Sequence, residues 1–98
     1  MKLIDRRTDD GSRRFARLPK GATWEALRDH VAKLAGSEIE DLVVPRIEEP
    51  WLRFTYQGHR FLVRNHDGGF HFFVSDPLCS DMHLYRVASH CERLLGSE

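Results

Sequence analysis

The segment 51–64 constrains the fold most, because it places two apolar-rich runs on either side of a single glycine-bearing turn. A two-residue turn at Gln57-Gly58 joins the runs into a β-hairpin and fixes which residues lie opposite each other. The facing pairs are then Tyr56 with His59, Phe54 with Phe61 and Leu52 with Val63. All six residues lie on one side of the hairpin, so this side is predicted to face the core.

A third strand, Phe70–Val74, continues the same pattern. A turn over residues 66–69 extends the apolar face through three further pairs: Asn65 with Phe70, Val63 with Phe72 and Phe61 with Val74. A slip by one residue instead sets arginines beside these phenylalanines, so the register is well specified. The sequence therefore predicts a three-stranded antiparallel meander with one apolar face.

Two segments have apolar residues at helical spacing. The first helix is predicted over residues 24–35, because Thr23 suits an N-cap and Gly36 suits a C-terminal stop. After the meander, Asp76-Pro77 indicates the start of a second helix, which ends at Gly96. An apolar stripe needs a surface to bury it, so both helices are predicted to pack on the apolar face of the sheet.

The remaining segments carry weaker signals. Residues 1–22 are predicted to form an N-terminal arm or short strands at Lys2–Arg6 and Arg14–Leu18. Residues 37–50 are predicted to be a mostly irregular connector with at most a short strand, because the prolines at 45 and 50 cannot donate a ladder hydrogen bond. The predicted fold is a single α+β domain over residues 1–98, with a compact α-β-β-β-α core over residues 23–98.

Length, charge and hydropathy exclude several classes of protein. A chain of 98 residues can bury one core without metal or disulfides. Charged residues make up 31% and cancel to a formal net charge of zero, which excludes the overall basic bias of a protein that coats DNA. No apolar run approaches the roughly 18–20 residues of a membrane span, and residues 1–7 lack the apolar stretch of a signal peptide. We therefore expect a cytoplasmic protein.

The side of the meander opposite the apolar face, called the outer face below, is the candidate functional surface. It combines large apolar side chains with cations: Trp51, Arg53, Arg60, Leu62, Arg64, His71 and Phe73. Tryptophan, phenylalanine and arginine are enriched in protein interfaces and among the residues that dominate binding energy. We predict a non-enzymatic interaction or regulatory module that contacts a protein here, in the first place a second copy, since two-fold pairing is the commonest assembly.

Two alternatives for the outer face stay open. Aromatic rings among arginines also suit stacked bases and phosphates, so weak binding of single-stranded nucleic acid, helped by the basic N-terminal arm, is one alternative. The other is internal cover, in which residues 1–20 or the acidic residues 37–50 pack over the face.

Cysteine and histidine chemistry forms a third alternative. Cys79 and Cys91 are predicted to lie in one helix, about 18 Å apart, which is too far for a disulfide, and both thiols are expected to be reduced. The spacing Cys79-x-x-x-His83 could place a thiol and an imidazole on one side of a helix, as a thiol- or metal-dependent activity requires. No second pair supplies further ligands, so we expect neither a metal nor a cofactor.

Overall fold

The computed structural model describes residues 2–96, which form two helices and one six-stranded antiparallel sheet. The elements in chain order are β1 (Arg6–Arg7), β2 (Arg13–Pro19), α1 (Trp24–Ala32), β3 (Ser37–Val43), β4 (Trp51–Tyr56), β5 (His59–His66), β6 (Gly69–Val74) and α2 (Asp81–Leu95). Within the sheet the strand order is β1-β2-β6-β5-β4-β3. The α+β class is confirmed, and the sheet has three strands more than the predicted meander.

The predicted meander corresponds to β4, β5 and β6, and its register is confirmed. The observed pairs include Leu52 with Val63, Phe54 with Phe61, Phe61 with Val74 and Val63 with Phe72. The first turn is Gln57-Gly58, whose φ angles of 51° and 80° are the left-handed values that a type I′ hairpin turn requires. The second turn is also two residues long, Asp67-Gly68, and is therefore shorter than the predicted turn over 66–69.

Both helices contribute to the core on the predicted apolar face. Trp24 of α1 packs edge-on against Phe70 of β6, with ring centroids 4.8 Å apart. His83 of α2 lies against Tyr56 of β4, with ring centroids 5.7 Å apart. The helical residues that are completely or almost completely buried include Leu27 and Val31 of α1 and Leu84, Val87, Ala88 and Cys91 of α2. One core therefore lies between the sheet and the helix pair.

The segment 37–50 differs from its prediction as a mostly irregular connector. Its first half is β3, which pairs with β4 along its length, with a shift of register between Ile39 and Asp41. The residues Glu38, Glu40 and Asp41 are exposed, because β3 is an edge strand. Because of these acidic residues, β3 lacks the regular alternation of apolar and polar residues from which a strand is predicted. Only residues 44–50 form the irregular connector, called the connector below.

The N-terminal region contributes two strands to the sheet. The strand predicted at Arg14–Leu18 is confirmed as β2, which lies between β1 and β6 and buries Phe15 completely. The strand predicted at Lys2–Arg6 is wrong in its bounds, because β1 covers only Arg6–Arg7. The basic N-terminal residues thus belong partly to the sheet.

Helix α2 begins later than predicted, and α1 ends three residues earlier. The Asp76 carboxylate accepts a hydrogen bond from the backbone N–H of Leu78 at 2.9 Å, so Asp76-Pro77 forms a turn instead of a helix start. The Ser80 hydroxyl caps α2. Cys79 therefore lies outside α2, and the prediction that both cysteines share a helix is wrong. No helix in the described part of the chain is long and apolar enough to cross a membrane.

Arg13 connects three parts of the fold from a buried position at the start of β2. It is 8% exposed, and its Nε and Nη2 donate to the carbonyl oxygen of Ile4 at 3.2 and 2.9 Å. Its Nη1 donates to the Asp81 carboxylate at 2.9 Å, at the first residue of α2. This guanidinium therefore holds the N-terminal segment and the start of α2 against β2.

His30 of α1 and His90 of α2 form a reciprocal pair between the helices. The Nε2 of each ring donates to the other residue's carbonyl oxygen at 2.6 Å, and the rings stack with centroids 4.0 Å apart. Partial burial lowers the pKa of His90 from the ordinary value of 6.5, although its hydrogen bond with the His30 backbone opposes this. The charges of His30, Arg93 and Lys33 lower the pKa further.

Stability is therefore expected to fall as the pH is lowered below about 6.5. Because the folded-state pKa of His90 is depressed, the unfolded chain binds more protons than the folded chain in this window. One such group lowers the free energy of unfolding by at most about 1.4 kcal/mol for each unit by which the pH falls. We expect His90→Gln, which keeps a donor, to flatten the acid limb of thermal stability between pH 7.5 and 5, scanned in about half-unit steps. The same change at the partly exposed His59 is the control, and an unchanged slope in His90→Gln contradicts the prediction.

Candidate functional site

Strand pairing brings the predicted residues of the outer face together. Arg53 lies opposite Leu62, and Leu62 lies opposite Phe73 on the next strand. Arg64 lies between Trp51 on one side and His71 on the other. The alternation of these residues with the buried ones explains their common side, because successive side chains of a strand point to opposite faces.

Strand β2 adds two arginines that the sequence analysis did not assign to this surface. Arg14 pairs with Phe73, and Arg17 pairs with His71, so both extend the outer face beyond β6. The strand Arg14–Leu18 was predicted, but its neighbour in the sheet was not. No local pattern specifies that neighbour, since the partner strand lies more than 50 residues away in the chain.

Two walls convert the outer face into a groove. One wall is the β1–β2 turn, Thr8–Ser12, and the other is the end of the connector, Glu48–Pro50. Between them lie three adjoining cavities of 420, 570 and 390 Å³, and Arg64 lines all three. We call this feature the outer groove; its floor consists of Arg14, Trp51, Arg53, Arg60, Leu62, Arg64, His71 and Phe73.

The large apolar side chains of the floor are neither open nor fully covered. Trp51, Leu62 and Phe73 are each half-buried. Residues of both segments that the sequence offered as internal cover, 1–20 and 37–50, form the walls and shield the floor from the sides. Apolar surface that can take a further contact therefore persists along the groove.

The charged groups of the groove are only partly paired. Arg53 lies 3.6 Å from the Asp41 carboxylate, and the Asn65 amide donates to Glu49 of the connector at 3.0 Å. Arg60 and Arg64 are exposed and form no ion pair within 4.0 Å with any residue in the range 2–96. The middle of the floor thus presents two cations without carboxylate partners.

His71 has the most unusual surroundings on the floor. It is 5% exposed, and its Nδ1 lies 3.0 Å from Nη1 of Arg14. Arginine can only donate, so Nδ1 accepts and the ring proton sits on Nε2. Burial and then the charge of Arg14 lower the pKa of His71, which keeps the ring neutral. Both the Nε2 of His71 and the Nε of Arg14 are buried and have no hydrogen-bond partner among the residues that the structure describes.

The Cys79 and His83 pair does not have the features of an activated thiol. Cys79 is buried before the start of α2, and burial followed by the charge of Asp76 raises its pKa. A raised pKa keeps the thiol protonated at neutral pH, whereas a nucleophile or a metal ligand must be a thiolate. Residues 2–96 contain no group of three or more histidine, cysteine or acidic side chains arranged to hold a metal ion.

Exposed apolar side chains mark two further places that sequence analysis missed. Ile47 is 97% exposed at the middle of the connector, next to the outer groove. Leu78, Met82 and Tyr85 are 84%, 62% and 49% exposed around the start of α2. The periodicity of α2 identified its buried stripe and gave no signal for this second set.

The outer groove combines hydrogen-bond donors, cations and half-buried apolar surface, which suits noncovalent binding. No family model matches the chain, and the searches of curated proteins and of solved structures gave no significant match.

Proposed function

We propose that this chain is a small non-enzymatic interaction module that pairs with a second copy of itself through the outer groove. The observation that carries the proposal is that one molecule presents two complementary surfaces side by side. Ile47 stands 97% exposed between charged neighbours on the connector. The floor of the groove beside it combines apolar side chains with two arginines that have no carboxylate within 4.0 Å among residues 2–96.

The apolar part of the contact is Ile47 of one protomer entering the groove of the other. The cavity lined by Trp51 and Leu62 has a volume of 420 Å³ and is large enough for a branched aliphatic side chain. Removing such a side chain from water contributes roughly 1.5–3 kcal/mol, and a two-fold axis makes the contact twice.

The charged part of the contact fixes its register. Glu48 and Glu49 follow Ile47 directly, so an inserted Ile47 brings carboxylates toward the Arg60 and Arg64 of the partner. Opposite charges at an interface favour one alignment over others and speed association. Without a partner, these two arginines have no carboxylate within 4.0 Å in the described residues.

Single-stranded nucleic acid fits the groove less well. The walls carry carboxylates on both sides, from Asp9 and Asp10 on the β1–β2 turn and from Glu48 and Glu49 on the connector. A polyanion that leaves the groove in either direction approaches these negative charges. Repulsion between like charges therefore disfavours a long phosphate backbone and favours a partner with charges of both signs.

The proposal includes a cytoplasmic setting. Cys79 and Cys91 are both free and buried, and protein thiols that stay reduced are typical of that compartment. The proposal also includes a regulatory role, which would be exerted by forming and dissociating the dimer.

The test is the oligomeric state of Ile47→Asp, measured by multi-angle light scattering and sedimentation over a range of concentrations. We expect a dimeric wild type and a folded monomeric variant, because a desolvated carboxylate replaces two apolar contacts; the dimer dissociation constant should rise roughly a hundredfold or more. Leu78→Asp is the matched control, since Leu78 is also exposed but lines none of the three cavities of the groove.

A charge reversal sharpens the test. Arg60→Glu should weaken the dimer, and adding Glu48→Arg should restore part of the lost affinity if the two residues meet across the interface. A wild type that stays monomeric up to about 1 mM contradicts the proposal. If that monomer binds an oligonucleotide with an affinity that falls steeply with salt, the nucleic-acid alternative replaces it.

A further inference from the structure

We propose that a groove between α1 and α2 binds an acidic segment of a second protein, one with apolar side chains at one end and carboxylates at the other. This surface, called the helix groove below, is a cavity of 410 Å³ with the following lining: Leu34, Tyr85, Arg86, Ser89, His90 and Arg93. None of these residues lines the outer groove, so the proposal goes beyond self-association and stands on separate observations.

Cations dominate the charge of the helix groove. Arg86 and Arg93 are both exposed, and neither forms an ion pair in the part of the chain that the structure describes. Lys33, at the C-terminal end of α1, adds a third positive charge nearby. Besides burial, the charges of His30, Arg93 and Lys33 lower the pKa of His90, which shows that these groups act on one place between the helices.

The lining of the helix groove contains no carboxylate. The acidic residues of the two helices all lie outside the cavity: Glu25, Asp29, Asp81 and Glu92. The Asp29 carboxylate lies 3.1 Å from the Nε of Arg28, and Glu92 lies about 100° around the helix from Arg93. The charge of this groove therefore favours a carboxylate ligand, because the two oxygens of a carboxylate match the donor fork of an arginine.

Apolar side chains extend the helix groove toward the start of α2. Tyr85 lines the cavity and is 49% exposed, and Met82, three residues earlier on the same face of the helix, is 62% exposed. Leu34 contributes a half-buried side chain from α1. Methionine adapts its shape to different partners, and tyrosine is enriched in protein interfaces. Exposed apolar side chains that adjoin one another mark an interaction site.

The order of these features along α2 specifies the partner. Met82 and Tyr85 precede Arg86, and Arg93 lies seven residues after Arg86, about 10 Å along the helix axis. A segment with leucines in one half and glutamates in the other can therefore place apolar side chains on Tyr85 and carboxylates against both arginines. A nucleic acid fits less well, because its charge repeats along the whole backbone and would also reach the apolar end.

The test is a titration with a fluorescently labelled synthetic peptide that has leucines in one half and glutamates in the other, followed by fluorescence anisotropy. We expect saturable binding with a dissociation constant below about 1 mM. Arg86→Gln and Arg93→Gln should each raise the dissociation constant about tenfold, because each removes a charge-assisted contact. Arg28→Gln is the matched control; Arg28 is a partly exposed arginine outside the cavity, and its change should alter the affinity by less than about twofold.

The apolar end is tested by combining a variant with a changed peptide. Tyr85→Ser should weaken binding of the leucine-glutamate peptide several-fold. The same variant should leave unchanged the weaker binding of a peptide whose leucines are replaced by serines, because that peptide makes no apolar contact to lose. Equal losses with both peptides contradict the assignment of the apolar end, and binding of a peptide in which lysines replace the glutamates contradicts the assignment of the charge.

The site of binding separates the helix groove from the outer groove. The backbone amide NMR signals of Ser89 and Arg93 should shift on addition of the peptide, whereas that of Leu62 should not. Shifts centred on Leu62 would place the peptide in the outer groove and overturn the proposal. Each titration is made on the wild type and on Ile47→Asp, whose altered residue lies outside the helix groove, so the result does not depend on whether a dimer forms.

Three further outcomes overturn the proposal. The first is the absence of saturable binding up to about 1 mM, and the second is an affinity of both arginine variants equal to that of the wild type. The third is a different occupant. If Arg86→Gln dissociates a dimer of the wild type, a second copy occupies the helix groove, and if a single-stranded oligonucleotide binds there more tightly than the peptide, the groove is a nucleic-acid site.

Discussion

Replacing Phe61 with alanine is expected to lower the free energy of unfolding by about 3–5 kcal/mol, which is a large part of the stability of a domain of this size. Phe61 is 3% exposed and lies at the centre of an aromatic cluster. It stacks on Phe54 with ring centroids 5.2 Å apart, and it meets Phe15 and Tyr56 at 5.7 and 6.5 Å. Truncation removes these contacts together and leaves a cavity among rings from β2 and β4.

The measurement is equilibrium unfolding in urea, with Leu62→Ala as the matched control. Leu62 is the next residue in the same strand, but it lies on the outer face and is half-buried. We expect a loss of only about 1 kcal/mol there, because less apolar area leaves water at that position. If Leu62→Ala destabilised the monomer more than Phe61→Ala, the assignment of the two faces would be wrong.

Replacing Arg13 with alanine is expected to lower the free energy of unfolding by about 2–3 kcal/mol. The change removes two hydrogen bonds to the Ile4 carbonyl and one to the Asp81 carboxylate. The carbonyl is then left without these partners in a partly buried place, which costs more than the loss of a surface contact. Since Arg13 connects β2 to the N-terminal segment, that segment should also exchange its amide hydrogens faster.

The control for Arg13→Ala is Arg6→Ala. Arg6 also lies in a strand of the N-terminal region, but it is exposed on the edge strand β1, so its loss should change stability by less than about 0.5 kcal/mol. Thermal unfolding and hydrogen exchange of residues 3–8 check both variants. Equal effects in the two variants would show that the buried hydrogen bonds of Arg13 contribute little.

The meander was predictable because a shift of its register by one residue would place charged side chains on the apolar face. A slip by one residue between β5 and β6 sets Arg64 or Leu62 against Phe72, so the pattern of arginines and phenylalanines selects a single alignment. The turns add a second, independent signal, because Gln57-Gly58 and Asp67-Gly68 both suit left-handed backbone angles. Where the pattern and the turn agree, local sequence determines the strand pairing.

The elements that were missed lack such agreement. In β3 the exposed residues are acidic, and a shift of register interrupts the alternation of its side chains. The formation of this strand therefore depends on pairing with its neighbour β4. At the start of α2, both Asp76-Pro77 and Ser80 suit an N-cap. The Asp76 carboxylate instead forms a turn with Leu78, and the helix begins after Ser80. Pairing with a neighbouring strand decides the first case, and a competing local turn decides the second.

The floor of the candidate site was predicted to a greater extent than its walls. Residues of β4, β5 and β6 follow from the register, which assigns Trp51, Leu62 and Phe73 to one side. The position of β2 in the sheet brings Arg14 and the β1–β2 turn to the groove. The path of the connector brings the other wall. Such long-range placement depends on the packing of the whole chain, and no short pattern specifies it.

The two edges of the sheet limit how this chain can associate. An unpaired edge strand is a template on which a neighbouring molecule can add its own strand, and this is the usual first step toward fibres. Here one edge is β1, only two residues long, and the other is β3, which carries Glu38, Glu40 and Asp41 on a backbone with a shifted register. Neither edge offers a long, flat, uncharged ladder. Concentrated solutions of the folded chain should therefore form discrete assemblies and resist conversion to amyloid.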